Sequence, residues 1–141
     1  MTSKQISVFL EIRPGKLAEF AAVLSAQKIN LRAISVAEAA DFGIVRIIVD
    51  DVFNAVTILK SENYVCTITD VLAVEVRDEP GMLANMIGVL GTEGINIEYM
   101  YTILGKKSDV AYMIIRTNND SEAVKILESK GFKLASLEAL K

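Results

Sequence analysis

The sequence predicts an α+β protein in which one βαββαβ unit occurs twice in tandem, each copy an antiparallel sheet with its helices on one face. Three observations carry that prediction. Pro14-Gly15 recurs 66 residues later as Pro80-Gly81, and each pair is followed at the same distance by an aliphatic-Asn-aliphatic triplet, Ile29-Asn30-Leu31 and Ile95-Asn96-Ile97. Val8, Leu17, Ala18, Val23, Leu24 and Ile48 have identical counterparts at Val74, Leu83, Ala84, Val89, Leu90 and Ile114. A two-residue insertion then shifts the phase, so that Ile58-Leu59 and Tyr64 match Ile126-Leu127 and Phe132. Such self-similarity decides the architecture before any single element is read.

Each element follows from its pattern. Lys4 to Glu11 alternates around Ile6, Val8 and Leu10, the period of a strand with one buried face. Pro14-Gly15 ends it. From Lys16 to Lys28, Leu17, Phe20, Ala21 and Leu24 recur at helical spacing and predict one apolar stripe laid on the sheet. Ile29 to Ala39 and Ile44 to Val49 are rich in strand formers and are broken by Asp41-Phe42-Gly43, which reads as a hairpin. Asp50-Asp51 offers a cap for a helix to about Ser61 with Phe53, Val56 and Leu59 turned inward. Tyr64 to Thr69 closes the copy as a strand. The second copy repeats the order: strand Leu72 to Arg77, helix Met82 to Glu93, hairpin Ile95 to Leu104 and Val110 to Thr117, helix Ser121 to Lys130, strand Phe132 to Leu137. Asn119 supplies a helix cap, and Gly131 sits where a left-handed residue closes a helix. This order is the ferredoxin-like arrangement. Two domains are expected, 1–70 and 71–141, joined by Asp70-Val71 and packed side by side.

Composition narrows the function. Each copy of about 70 residues lies near the lower limit for an independent core. A 52% hydrophobic share and a mean hydropathy of +0.38 leave apolar surface uncovered in a monomer, so a homodimer is expected. Apolar runs such as Gly43 to Val49 are shorter than the ~20 residues a bilayer demands. Met1-Thr2-Ser3-Lys4 does not open a signal peptide. No membrane partner and a cytoplasmic location are expected. The net charge of −3, without basic clusters, argues against a nucleic-acid partner. Histidine is absent and the single Cys66 has no base to activate it. The expectation is therefore a protein that is not an enzyme, with no catalytic residues, no metal site and no cofactor.

The repeated loop is the chemical signal. A Pro-Gly between strand and helix has a purely conformational explanation, because proline sets φ and glycine relieves crowding at the helix start. It also leaves backbone N–H groups of Gly15, Lys16 and Leu17, and of Gly81, Met82 and Leu83, at a helix N-terminus, where the dipole favours a carboxylate. Asn30 and Asn96 open the next strand, where an amide accepts from an ammonium or simply caps the turn. Val36, Phe42, Tyr99, Tyr101 and Tyr112 are candidates for shaping specificity, and equally for sheet packing or an oligomer contact.

Asp78-Glu79-Pro80-Gly81-Met82-Leu83 followed by Gly94-Ile95-Asn96-Ile97 resembles the ACT domain, and Arg13-Pro14-Gly15-Lys16-Leu17 with Ile29-Asn30-Leu31 resembles it again. The likeness spans nearly the whole chain, which is similar to stand-alone tandem ACT proteins in which no catalytic domain is attached. It implies a regulatory module that binds amino acids or related metabolites between domains or subunits. The residues it implies as ligand-binding are Gly15, Lys16, Leu17 and Asn30, and Asp78, Glu79, Gly81, Met82, Leu83 and Asn96. Arg13 is either an added cation that pairs with a carboxylate or simply a solvated side chain beside the turn. The first copy departs from the pattern where Ile12 replaces the acid at Asp78 and Lys28 replaces Gly94. The expected function is an allosteric sensor of a small amino acid. The alternative is a regulatory subunit that acts by protein contact on an amino-acid biosynthetic enzyme such as an acetolactate synthase.

Overall fold

The computed structural model describes residues 2–11, 13–39, 42–104 and 109–137. The order is β1 (Ser3–Glu11), α1 (Lys16–Ala26), β2 (Leu31–Ala39), β3 (Phe42–Val49), α2 (Val52–Ser61), β4 (Val65–Arg77), α3 (Met82–Thr92), β5 (Ile97–Leu104), β6 (Val110–Thr117), α4 (Asp120–Ser129) and β7 (Lys133–Ala135). Two ferredoxin-like βαββαβ units result, as the periodicity predicts. By contact the chain divides into an N-terminal unit, Lys4–Thr69, and a C-terminal unit made of Met1–Ser3 and Asp70–Lys141. Asp70 and Val71, read as a joint between two strands, lie within the single strand β4 instead. The reason is local: nothing between Val65 and Arg77 is a proline or glycine, so no residue there interrupts an extended backbone.

In the N-terminal unit the strands run in the order β2-β3-β1-β4. Register pairs Ile6 with Ile47 and Val8 with Val45, and β2 continues it by pairing Ile34 with Ile47 and Val36 with Val45. Residues directly opposite share a face, so Ile6, Val8, Ile34, Val36, Val45 and Ile47 all point to one side. Of these, Ile6, Val8, Val45 and Ile47 meet Phe20 and Leu24 of α1 and Val52, Ala55 and Leu59 of α2 in one buried cluster, while Ile34 and Val36 on edge strand β2 stay exposed. Phe20 and Tyr64 meet edge to face with centroids 5.6 Å apart. The predicted stripes need correction at their margins. Leu17 is 41% and Phe53 71% exposed, while Val52 and Ala55 take the inward places on α2. Side chains near a helix start overhang the sheet's end rather than its face, and a rotation of one residue exchanges Phe53 for Val52.

The C-terminal unit repeats the plan with β5, β6, β4 and β7. Leu72, Val74 and Val76 occupy the places of Ile6, Val8 and Leu10, and Met86 and Leu90 those of Phe20 and Leu24, in a second buried cluster.

Helix ends show why the chain turns where it does. Asp51 accepts from the Asn54 N–H at 3.1 Å and starts α2; Asn119 accepts from the Glu122 N–H at 3.2 Å and starts α4. All four helices close alike: Ile29, Tyr64, Ile95 and Phe132 donate to Leu24, Leu59, Leu90 and Leu127 at 2.9 to 3.0 Å. That six-to-one bond needs a left-handed residue just before the donor. Gly94 and Gly131 supply it, but Lys28 (φ 58) and Asn63 (φ 68) do so in the first copy. The Lys28 departure from Gly94 therefore changes the residue and preserves the turn.

Candidate functional site

Each Pro-Gly loop joins the end of a sheet strand to the start of a helix, and its backbone is the same in both copies. Gly15 (φ 89) and Gly81 (φ 87) stand in the left-handed region at the N-cap of α1 and α3. A side chain there would be strained, which is why the chain places glycine. Neither helix start carries a side-chain cap. The Lys16 N–H bonds back to the Arg13 carbonyl and the Met82 N–H to the Glu79 carbonyl, both at 3.2 Å. Those two amides, expected to be open, are spent on the turn itself. Among the described residues the N–H groups of Leu17 and Ala18, and of Gly81, Leu83 and Ala84, take no backbone partner. They lie at a helix N-terminus, where positive dipole charge accumulates.

The surroundings of the two loops differ. Beside the first, Leu10, Pro14, Leu17, Val36, Gly43 and Val45 line a cavity of about 270 Å³, with Glu11 and Arg13 also on its wall. Arg13 Nε lies 2.7 Å from Glu11 Oε2. Lys16 faces a different cleft of about 560 Å³ that includes Glu19 and Glu62, and its Nζ is 3.3 Å from Glu19. The first turn of α1 thus divides the predicted residues: Arg13 and Leu17 to one side, Lys16 to the other.

Beside the second loop, Met82 takes the place of Lys16 and shares a polar cleft of about 410 Å³ with Glu75, Arg77, Asn85, Asp109 and Lys130, the counterpart of the Lys16 cleft. Glu79 Oε1 is 3.8 Å from Arg77, and the Asp78 N–H donates to the Asp109 carbonyl at 2.8 Å. Leu83, the counterpart of Leu17, is 41% exposed. On the facing strands Tyr112 donates to Glu75 at 3.5 Å; burial, and then the Glu75 charge and hydrogen bond, push its phenol above the ordinary value.

Asn30 and Asn96 lie elsewhere. Leu31 pairs with Val49 at one end of β2, whereas Ala39 pairs with Phe42 at the other, and Phe42 pairs with Glu11 next to the loop. At about 3.3 Å per residue, the length of β2 puts roughly 25 Å between Asn30 and the Pro-Gly loop of its own unit. The Asn30 amide donates to Asp50 Oδ2 at 3.3 Å, and Arg32 Nε approaches the same carboxylate at 3.6 Å. In the second copy the Asn96 N–H donates to Asn118 Oδ1 at 2.9 Å. Both asparagines tie a strand start to the residue before a helix cap. Loop and asparagine of one unit do not share a site.

The other candidates resolve individually. Val36 enters the cavity wall. Phe42 packs on Phe9 with centroids 5.9 Å apart. Glu11 and Gly43 were not singled out by the sequence; the alternation that aligns Val36 with Val45 is the signal that points to this strand end. Cys66 is buried in β4, and burial raises its thiol pKa. Among the described residues no helix is long and apolar enough to cross a membrane.

Two ferredoxin-like units in tandem, each with a Pro-Gly turn ahead of its first helix, define a class of small α+β modules. The chain belongs to the ACT domain pair family, whose match covers residues 1–139. Among solved structures it is similar to protein BT0572 from Bacteroides thetaiotaomicron, at 40% identity and a TM-score of 0.90, covering 99% of this chain and 96% of that one. It also shares its fold with the ligand-free regulatory subunit of aspartate kinase from Thermus thermophilus, at 17% identity and a TM-score of 0.65, covering 89% of this chain and 90% of that one. The corresponding subunit from Thermus flavus gives 17% identity, a TM-score of 0.63, and 89% and 88% coverage. The comparison with the curated proteins finds no match.

Proposed function

We infer that the protein is a non-enzymatic, cytoplasmic regulator that binds a small amino acid or related metabolite at its Pro-Gly loops and works as a homodimer. The observation that carries this reading is the loop itself: a left-handed glycine at a helix start, leaving backbone amides such as those of Leu17 and Leu83 with no backbone partner among the described residues, present twice. Those amides, with Arg13 beside the first loop, suit a carboxylate. Because Asn30 lies at the far end of its own sheet, a second copy of the chain presents it to the loop. Its carbonyl oxygen, left over after the bond to Asp50, is an acceptor for an ammonium. The family gives the same direction, and the Thermus thermophilus relative is a regulatory subunit by its own description.

Ligand binding regulates only through unequal affinity for two states of assembly. Isothermal titration and thermal melting with each of the twenty amino acids test the reading. At least one is expected to raise Tm, since a ligand that prefers the folded state stabilises it. No heat and no shift with any of them at millimolar concentration would remove the sensor function. Phe53, 71% exposed on α2, favours a second reading, a subunit pressed against a biosynthetic enzyme such as an acetolactate synthase. A pull-down of such an enzyme that Phe53→Ala abolishes and amino acids leave unchanged would select it.

A further inference from the structure

The duplicated loops have diverged, and the divergence has a chemical meaning. The cavity beside the first loop is apolar on six sides of its wall, through Leu10, Pro14, Leu17, Val36, Gly43 and Val45. Val36 and Leu17 remain 57% and 41% exposed although they line it. Apolar side chains around an open concavity gain when another apolar group fills it. The remaining two residues of the wall are Glu11 and Arg13, paired at 2.7 Å. One carboxylate and one guanidinium side by side are the complement of a zwitterion: the guanidinium takes a carboxylate in fork geometry and the carboxylate takes an ammonium. The volume of about 270 Å³ sits below the range of roughly 300–1,000 Å³ typical of drug-sized ligands and suits a group the size of an amino-acid side chain. At the corresponding positions of the second copy Thr102 stands in place of Val36, and Arg77 and Glu79, 3.8 Å apart, stand in place of Glu11 and Arg13.

We propose that the first copy alone holds a selective pocket for a free amino acid with a branched aliphatic side chain, its alkyl group between Leu17 and Val36 and its charged end at Arg13 and Glu11. The proposal rests on the amino-acid reading above and narrows it to one unit and one ligand class. Each methylene moved from water into the pocket is worth a factor of about four in affinity, so valine, leucine and isoleucine should bind at least about tenfold tighter than alanine. Both charges matter, so leucine lacking its ammonium (4-methylpentanoate) or its carboxylate (3-methylbutylamine) should bind at least about tenfold more weakly than leucine.

The test is calorimetric titration of the full chain with these compounds and with L-aspartate, L-lysine and L-threonine. Two variants address the site: Val36→Asp, at an exposed position of edge strand β2, and Leu17→Gln, on the exposed rim of α1. Thr102→Asp, at the place in the second copy that corresponds to Val36, is the control. We expect leucine, isoleucine and valine to bind, Val36→Asp and Leu17→Gln each to weaken them about tenfold or more, and Thr102→Asp to leave them unchanged. Tightest binding by aspartate, lysine or threonine would overturn this proposal while leaving an amino-acid sensor in place. Aliphatic binding untouched by Leu17→Gln would remove the cavity as the site. Silence with these and with the rest of the twenty amino acids would remove the sensor as well.

Discussion

Replacing Gly81 by alanine isolates one term of the loop's energetics. A Cβ built on Gly81 meets nothing within 4 Å, while its φ is +87°. Steric crowding by neighbours therefore contributes nothing, and the whole cost is that of holding an L-residue in the left-handed region, about 1–2 kcal/mol. Alanine also narrows the unfolded ensemble, which returns about 0.4–1 kcal/mol to the folded state. The net is a loss of about 1 kcal/mol, and Gly15→Ala should match it because its φ is +89° in equally open space. Gly88→Ala makes the opposite case. It lies inside α3 with nothing within 4 Å of its added Cβ, so alanine should stabilise by about 0.5–1 kcal/mol through helix propensity. Urea denaturation followed by circular dichroism reads all three as shifts in midpoint at constant m-value. In thermal melts each kilocalorie should move Tm by about 3–5 °C for a chain of this length. A loss above ~3 kcal/mol at Gly81, or a gain there, would refute the reasoning. A loss at Gly88 would show that something packs against that face of α3, such as a second copy of the chain.

Two further outcomes follow from burial. Leu59 is fully buried and Phe53 is 71% exposed on the same helix, so Leu59→Ala should cost about 2–5 kcal/mol and Phe53→Ala about 0.5 kcal/mol or less, measured by guanidinium denaturation; equal losses would place the inward face of α2 wrongly. The Cys66 thiol is raised above its ordinary pKa chiefly by burial, against a smaller lowering by Lys60, so native protein should react with a thiol reagent far more slowly than urea-unfolded chain. A group whose folded pKa is raised contributes stability that is complete below its unfolded pKa and is lost as pH climbs through the folded value; stability should accordingly fall on the alkaline side of the ordinary thiol range, and Cys66→Ala should flatten that fall.

Much of the molecule was legible in the chain because the signals are local or repeated. The alternation of Ile6, Val8 and Leu10 and its return in Leu72, Val74 and Val76 specify strands and their buried face, since period two needs no partner to be read. Asp51 and Asn119 announce helix starts because a short polar side chain reaches its own backbone. Lys28 and Asn63 were not legible as left-handed residues. Their conformation is held by the bonds from Ile29 to Leu24 and from Tyr64 to Leu59, at Lys28 against the residue's local preference and at Asn63 with the tolerance asparagine has for that region.

The sequence by itself therefore determined that one βαββαβ unit is written twice, where its strands and helices lie, and that a Pro-Gly turn opens the first helix of each copy. Only the tertiary structure decided what surrounds those turns. Strand register sets Val36 opposite Val45, both on the wall of the cavity beside the first loop, and carries Asn30 about 25 Å away along β2. It makes an apolar cavity on the Leu17 side of the first turn and a charged cleft on its Lys16 side. The physical reason is that backbone conformation depends on neighbours along the chain, whereas a pocket is made by residues that meet only when separate strands align.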